Sequence, residues 1–122
     1  MTNEVYKITD SILTSIKKML GITEECTDFD ADLIIHINSV LMILTQIGVG
    51  PSEGFFIEDK GDFWEDFLEG DIEKLEAVKT FVYLKVRLIF DPPSSSAVAE
   101  SFNRTISELE WRLHIAAESN EN

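Results

Sequence analysis

Between Asp71 and Pro93 the chain carries apolar residues on two adjoining helical rows at once, and nothing else in it constrains the fold as strongly. Leu75, Val78, Val82, Val86 and Ile89 recur at spacings of three and four, and Ala77, Phe81, Leu84 and Leu88 form a second row beside them. The two rows make an apolar arc much wider than the stripe of a surface helix. Only Glu76, Thr80, Tyr83 and Arg87 keep one lengthwise strip polar. Such a helix must sit between other helices that cover it. Asp71 is its cap candidate, and Glu73 lies in the first turn, where the helix dipole favours an acid. Asp91-Pro92-Pro93 ends it, because proline has no amide hydrogen and restricts the residue before it.

The covering helices are legible on either side. A first helix starts between Asn3 and Thr9 and runs to Leu20, with Val5, Ile8, Ile12, Ile16 and Met19 as its stripe. Lys17 and Lys18 suit its last turn, and Gly21 its left-handed C-terminal cap. A second starts at Asp28 or Asp30 and runs to about Ile47. Its main stripe is Leu33, Ile37, Val40, Leu44 and Ile47; Ile34, Ile35, Met42 and Ile43 widen it, which predicts a well-buried helix. A last helix runs from Ser95 or Ser96 to Ala117 on Val98, Phe102, Ile106, Leu109, Leu113 and Ala116, followed by a loose polar tail over 118–122. Between the second and central helices, residues 48–61 lose the helical period and hold four of the six glycines. Phe55, Phe56 and Ile57 there suit a short strand and turn, or a projecting loop. A turn or two of helix follows over Asp62–Glu69, with Phe63, Trp64, Phe67 and Leu68 on its apolar side; Trp64 and Phe67 are expected to cover the core. The expectation is one all-α domain over residues 1–117: a small helical bundle of four main helices, one short helix and one glycine-rich loop.

The charge narrows the function classes. Ten Lys and Arg stand against 23 Asp and Glu, a formal net charge of −13. A chain this acidic is unsuited to gripping nucleic-acid phosphates or anionic lipid. It fits plain solubility, a protein that must not adhere to DNA, or one that imitates DNA. Cys26 is the single cysteine, which leaves no internal disulfide and no multi-thiolate zinc site. The N-terminus lacks a signal-peptide pattern, and the run from Val40 to Leu44 is far too short to span a bilayer. A soluble protein made in a reducing cytoplasm is expected.

No catalytic constellation can be assembled. His36 has Asp32 four residues before it, and His114 has Glu110 and Glu118 at four-residue steps, but neither has a second ligand at metal-binding spacing. The acids Glu58, Asp59, Asp62, Glu65, Asp66, Glu69, Asp71, Glu73 and Glu76 do not fit a calcium-loop frame and read as a solvated face. No phosphate loop, nucleophile elbow or metalloprotease motif is present. The chain is therefore expected not to be an enzyme and to need no cofactor. Lys85 lies in the apolar half of the central helix, where it snorkels or pairs with an acid of the short helix.

The last helix carries a different signal. Glu100, Arg104, Glu108 and Arg112 alternate in sign at four-residue steps, and Trp111 and Ile115 lie opposite the Leu109/Leu113 stripe. A tryptophan on the charged side is exposed in a lone chain, which marks a contact surface. Arg104, Glu108, Trp111, Arg112 and Ile115, together with Phe55, Phe56 and Ile57, are the candidate partner-interface residues.

The run Tyr83-Leu84-Lys85-Val86-Arg87-Leu88-Ile89-Phe90-Asp91-Pro92-Pro93, followed by Glu108-Leu109-Glu110-Trp111-Arg112-Leu113, resembles the head–tail connector proteins of tailed bacteriophages, also called head-completion or adaptor proteins and found in many prophages. Residues 37–50 and 63–68 are also similar, and the resemblance covers about Ile8 to Ala116. It implies a small helical bundle that assembles as a ring, usually of twelve, beneath the portal. It implies assembly in the bacterial cytoplasm and a final place in the virion at the capsid–tail junction. The implied partners are the portal protein, neighbouring copies and the next connector or tail protein, with DNA passing through unbound and no membrane involved. A ring needs two different complementary patches per subunit, and the Phe55–Ile57 loop and the Trp111/Ile115 face are the candidates. The resemblance assigns the last helix and its tail to portal docking, and residues 48–61 to neighbours or the lumen. The rival reading, from charge and size alone, is a small acidic DNA mimic that inhibits a host nucleic-acid enzyme.

Overall fold

The computed structural model describes residues 10–69 and 72–119, and over these it is all α. Five helices follow in order: α1 (Ile12–Met19), α2 (Asp30–Gln46), α3 (Trp64–Phe67), α4 (Ile72–Phe90) and α5 (Ser96–Ser119). α4 is the centre. It packs along α2 and along α5, and more lightly on α1. Val78, Phe81, Val82 and Val86 are fully buried, as the double apolar row requires. Ile89 is the exception at 56 % exposed, although Leu88 and Phe90 on either side of it pack against the core. The helix stops at Phe90, directly before Asp91 and the two prolines. Its expected cap, Asp71, lies outside the described residues.

α1 begins later than its apolar period suggests. Ser11 is extended (φ −65°, ψ 165°), and its Oγ accepts from the Thr14 amide at 3.2 Å. The residue bridges antiparallel to Phe63, and the Ile12 amide donates to the Asp62 carbonyl at 2.9 Å. A start between Asn3 and Thr9 with an unbroken run to Leu20 therefore does not hold. The hydroxyl of Ser11 outcompetes helix continuation by taking the orphan amide itself; residues 1–9 lie outside the described residues. At the other end Gly21 is left-handed (φ +83°), as expected of the cap.

α2 starts at Asp30 without a side-chain cap. The Asp30 carboxylate instead meets Lys17 Nζ at 3.0 Å, and Lys17 also donates to the Glu24 carbonyl at 2.9 Å. The inner stripe of Leu33, Ile37, Val40, Leu41 and Leu44 is buried as predicted. The widening is not: Ile35 is 62 % and Met42 49 % exposed, so α2 keeps an outer face. Along α5, Ile106 and Leu113 are buried and Phe102, Leu109 and Ala116 half-buried, but Val98 is exposed. The Ser95 hydroxyl accepts from the Val98 amide at 3.4 Å, which makes Ser95 the cap. The helix continues through Ser119, two residues past its expected end.

Residues 48–63 form neither strand nor projection. Gly48 and Gly50 are left-handed (φ +95° and +86°), and Val49 between them is fully buried. Asn38 of α2 grips the loop with both ends of its amide: Nδ2 donates to the Ile57 carbonyl at 3.0 Å, and Oδ1 accepts from the Ile57 amide at 2.7 Å. Trp64 and Phe67 are 1 % and 2 % exposed, so both do cover the core. Trp64 Nε1 donates to Ser15 Oγ at 2.9 Å, and Ser15 Oγ donates to the Ser11 carbonyl at 2.7 Å. This relay ties α3 to the start of α1.

Candidate partner-binding surface

The structure brings five of the eight candidate residues onto one surface. Arg104, Glu108, Trp111, Arg112 and Ile115 are all exposed, on successive turns of the outer side of α5. Trp111 is 64 % and Ile115 40 % exposed, while Ile106 and Leu113 on the opposite side face α4. Arg112 Nη2 donates to Glu108 Oε1 at 2.7 Å, closing one rung of the ladder beside the tryptophan. An exposed i,i+4 pair adds only about 0.3–0.5 kcal/mol to a helix. An exposed indole on a helix with a separate buried inner face is the kind of residue that marks contact surfaces.

The other three candidates separate, because an extended segment points successive side chains to opposite sides. Phe55 packs on Phe67 with ring centroids 5.5 Å apart, Ile57 is 2 % exposed, and Phe56 between them is 60 % exposed. Ile57 thus belongs to the core, Phe55 is half-committed to it, and Phe56 alone is free. Phe67 of α3 holds Phe55 and Asn38 of α2 holds the Ile57 backbone.

What supports α5 is built from Arg87. Its Nη1 donates to Tyr83 Oη at 3.0 Å, its Nε to the Asp91 carbonyl at 2.9 Å, and its guanidinium lies 5.7 Å from the centroid of Phe102. The bond to Tyr83 raises the guanidinium pKa further above its ordinary value, against a small desolvation. One side chain therefore braces the α4–α5 turn. At the far end His114 Nδ1 lies 3.3 Å from the Ile47 carbonyl and Nε2 3.1 Å from Glu118 Oε1. Gly48 lets Ala117 approach closely there, since a Cβ on Gly48 would stand 3.0 Å from that of Ala117. α5 is thus tied to α4 near Phe102 and to the end of α2 near His114 and Ala117, and the stripe lies between these contacts.

Several of the remaining sequence candidates have structural partners. Among the acids, Asp62 Oδ2 accepts from the Glu58 amide at 2.7 Å, Asp59 Oδ1 from the Gly61 amide at 2.7 Å, and Asp66 Oδ2 from the Phe63 amide at 3.1 Å. These carboxylates build turns and a helix start. Glu65, Glu69, Glu73 and Glu76 face solvent. Among the described residues no three His, Cys, Asp or Glu side chains come together in a way that could hold a metal ion. His36 is half-buried on α2. Lys85 Nζ lies 5.6 Å from the Phe81 ring centroid, which settles it along the helix.

Sequence reasoning passed over Lys79 and the outer face of α2. Lys79 is 1 % exposed, with Nζ 5.8 Å from the Trp64 ring centroid and 3.7 Å from Glu76 Oε1. Burial lowers its pKa, opposed by Glu76 and more weakly by Asp10. Its place beside Val78 in the wide apolar arc was the available signal. For α2, the signal was the spacing of Ala31, Ile35, Ser39, Met42 and Gln46, a separate uncharged row.

Residues 12–120 match the family described as phage connector protein. No curated protein and no solved structure matches the chain.

Proposed function

Because this chain belongs to the phage connector protein family, we propose that it acts as a ring-forming subunit beneath the portal, extending the DNA channel and joining capsid to tail. Its family role is structural, at the head–tail junction of the virion. The observation that carries the finer reading is the α5 stripe, where Trp111 and Ile115 stand exposed between Arg104, Glu108 and Arg112 on a helix tied to α4 and to the end of α2. Function in this reading is assembly geometry: the fold presents partner surfaces at fixed angles and carries out no bond chemistry. The family match favours it over the DNA-mimic alternative, which shares only the charge and the size.

The formal net charge of −13 serves the same role. DNA moving along an acidic wall meets no counter-charge to hold it. Glu58, Glu65, Glu69, Glu73 and Glu76 are exposed and supply such a wall. Reversing several of them should make assembled particles retain DNA on passage, and unchanged release would remove this part of the reading.

The deciding experiment is electron microscopy of the protein mixed with the portal ring encoded in the same phage genome. An added ring layer on one face of the portal is expected and would display its symmetry. A bare portal at high protein concentration would overturn the assignment to the portal face.

A further inference from the structure

The outer side of α5 carries a seam with its own order. Ala97, Ser101, Arg104, Glu108, Trp111 and Ile115 are all exposed and recur at alternating spacings of four and three. A 3.5-residue period of this kind is the contact line of paired helices. It runs opposite the buried Ile106 and Leu113, since two residues is about 200° of helix. Residue type reverses along it. The small residues Ala97 and Ser101 stand at one end, and the large apolar Trp111 and Ile115 at the other. The base Arg104 and the acid Glu108 lie on either side of the midpoint. Two such helices laid antiparallel about that midpoint match at every seam position. Ala97 of one copy meets Ile115 of the other, Ser101 meets Trp111 and Arg104 meets Glu108, and the same three pairs recur by symmetry.

We propose that free copies of this chain pair in this way, as a two-fold dimer through α5 that covers Trp111 and Ile115. Arg104 forms no ion pair within the chain among the described residues. Arg112 takes only Oε1 of Glu108, which leaves Oε2 for Arg104 of the other copy. The apolar pairs supply the attraction, and the charges select the register. Parallel pairing would set Arg104 on Arg104 and Glu108 on Glu108. A shift of one heptad towards the C-terminus would set Arg104 against Ile115 and Glu108 against Trp111. Trp111 placed directly on Ile115 would set Glu108 against Glu118. The seam sums to zero charge, so it adds nothing to the long-range repulsion between two chains of formal net charge −13. It is about 27 Å long at 1.5 Å per residue. One helix face of that length covers less than the ~800 Å² per partner of a standard stable interface. The dimer is therefore weak and opens on dilution. A two-fold contact is closed and stops at two copies, so it does not itself build a ring. Its consequence rests on the connector reading above: the second copy hides the stripe until the portal displaces it. The dimer itself stands without that reading.

Sedimentation over a concentration series in ~0.15 M salt, where repulsion beyond about 8 Å is screened, tests the pairing. The natural chain should pass from monomer to dimer and go no further. Arg104→Glu and Glu108→Arg each set like charges opposite one another at both symmetric positions. Each variant alone should therefore dimerise about tenfold or more weakly than the natural chain. Mixed in equal amounts, the two variants restore both pairs, and the mixture should sediment as dimer. Both positions are exposed, so thermal unfolding of each variant should stay close to that of the natural chain. A natural chain that stays monomeric throughout would overturn the proposal. Single variants that dimerise as the natural chain does would overturn it too, by placing the contact elsewhere. Weak single variants that fail to rescue each other would overturn the antiparallel register. Adding the portal ring separates this proposal from the connector reading. A ring layer from a chain that never dimerises removes the dimer alone. A dimer that persists beside a bare portal upholds the pairing and removes the connector reading.

Discussion

The loop between α2 and α3 and the outer side of α5 both carry apolar residues away from the helical stripes, yet they do opposite work. The loop spends its apolar residues inward: Val49 and Ile57 are in the core and Phe55 is on Phe67, with Asn38 bonding the backbone in place. α5 spends Trp111 and Ile115 outward and keeps a complete inner face besides. An irregular segment can be a rigid part of the core, while a regular helix holds the free surface. The two regions should therefore fail differently: loop substitutions unfold the domain, and α5 substitutions leave it folded and unattached.

The sharpest test of the loop is Ile57→Ala. Truncating a fully buried isoleucine costs about 2–5 kcal/mol through lost burial and the cavity left behind. At this chain length each kcal/mol moves Tm by roughly 3–5 °C, so thermal unfolding should shift down by about 6 °C or more. A shift of under about 2 °C would mean that the loop is dispensable to the core and would erase the contrast with α5.

Gly50→Ala should follow. Gly50 is left-handed at φ +86°, and a Cβ there would overlap the ring of Phe67. The backbone alone costs about 1–2 kcal/mol for an L residue in that region, and the buried ring must also move. A loss of about 2 kcal/mol or more is expected in urea unfolding, with an unchanged m-value. Gly54→Ala is the control, since the same backbone angle there meets open space; it should lose only the backbone part.

Most of the architecture was readable before any coordinates. The double apolar row of α4, the Gly21 and Gly48 stops and the Asp91-Pro92-Pro93 break are local signals that tertiary packing leaves intact. The exposed α5 stripe was readable for the same reason, because Trp111 falls outside the inner period of its own helix. What stayed hidden depends on non-local contacts. Ser11 reads as one more polar residue in a helical run until Phe63 and Asp62 arrive beside it. Ile35 and Met42 fit a broad buried arc as well as an outer row, and only the one-sided packing of α2 decides. Ile57 looks like part of a free apolar tip until Asn38, nineteen residues earlier, takes both its backbone groups.

Trp111→Ser with Ile115→Ser should change stability little, because exposed substitutions usually move it by about 0.5 kcal/mol or less. The ring layer on the portal should nevertheless disappear. Separate measurement of Tm and attachment makes this the mirror image of Ile57→Ala. If the double variant unfolds instead, the indole supports the fold and α5 resembles the loop after all.

The smallest effect on the free chain is expected from Glu108→Gln with Arg112→Gln. The pair closes at 2.7 Å, but the two side chains are 60 % and 67 % exposed. The loss should be about 0.3–0.5 kcal/mol, a Tm change of one or two degrees, and should fade as salt screens the pair. If the proposed assembly buries the indole, the same two residues would border it where water is excluded and each charge counts for more. The neutral variant should therefore lose attachment out of proportion to its stability, and raised salt should weaken the natural assembly in the same direction. Equal small effects in the free and assembled protein would confine the ladder to helix stabilisation and leave Trp111 and Ile115 to carry the contact without it.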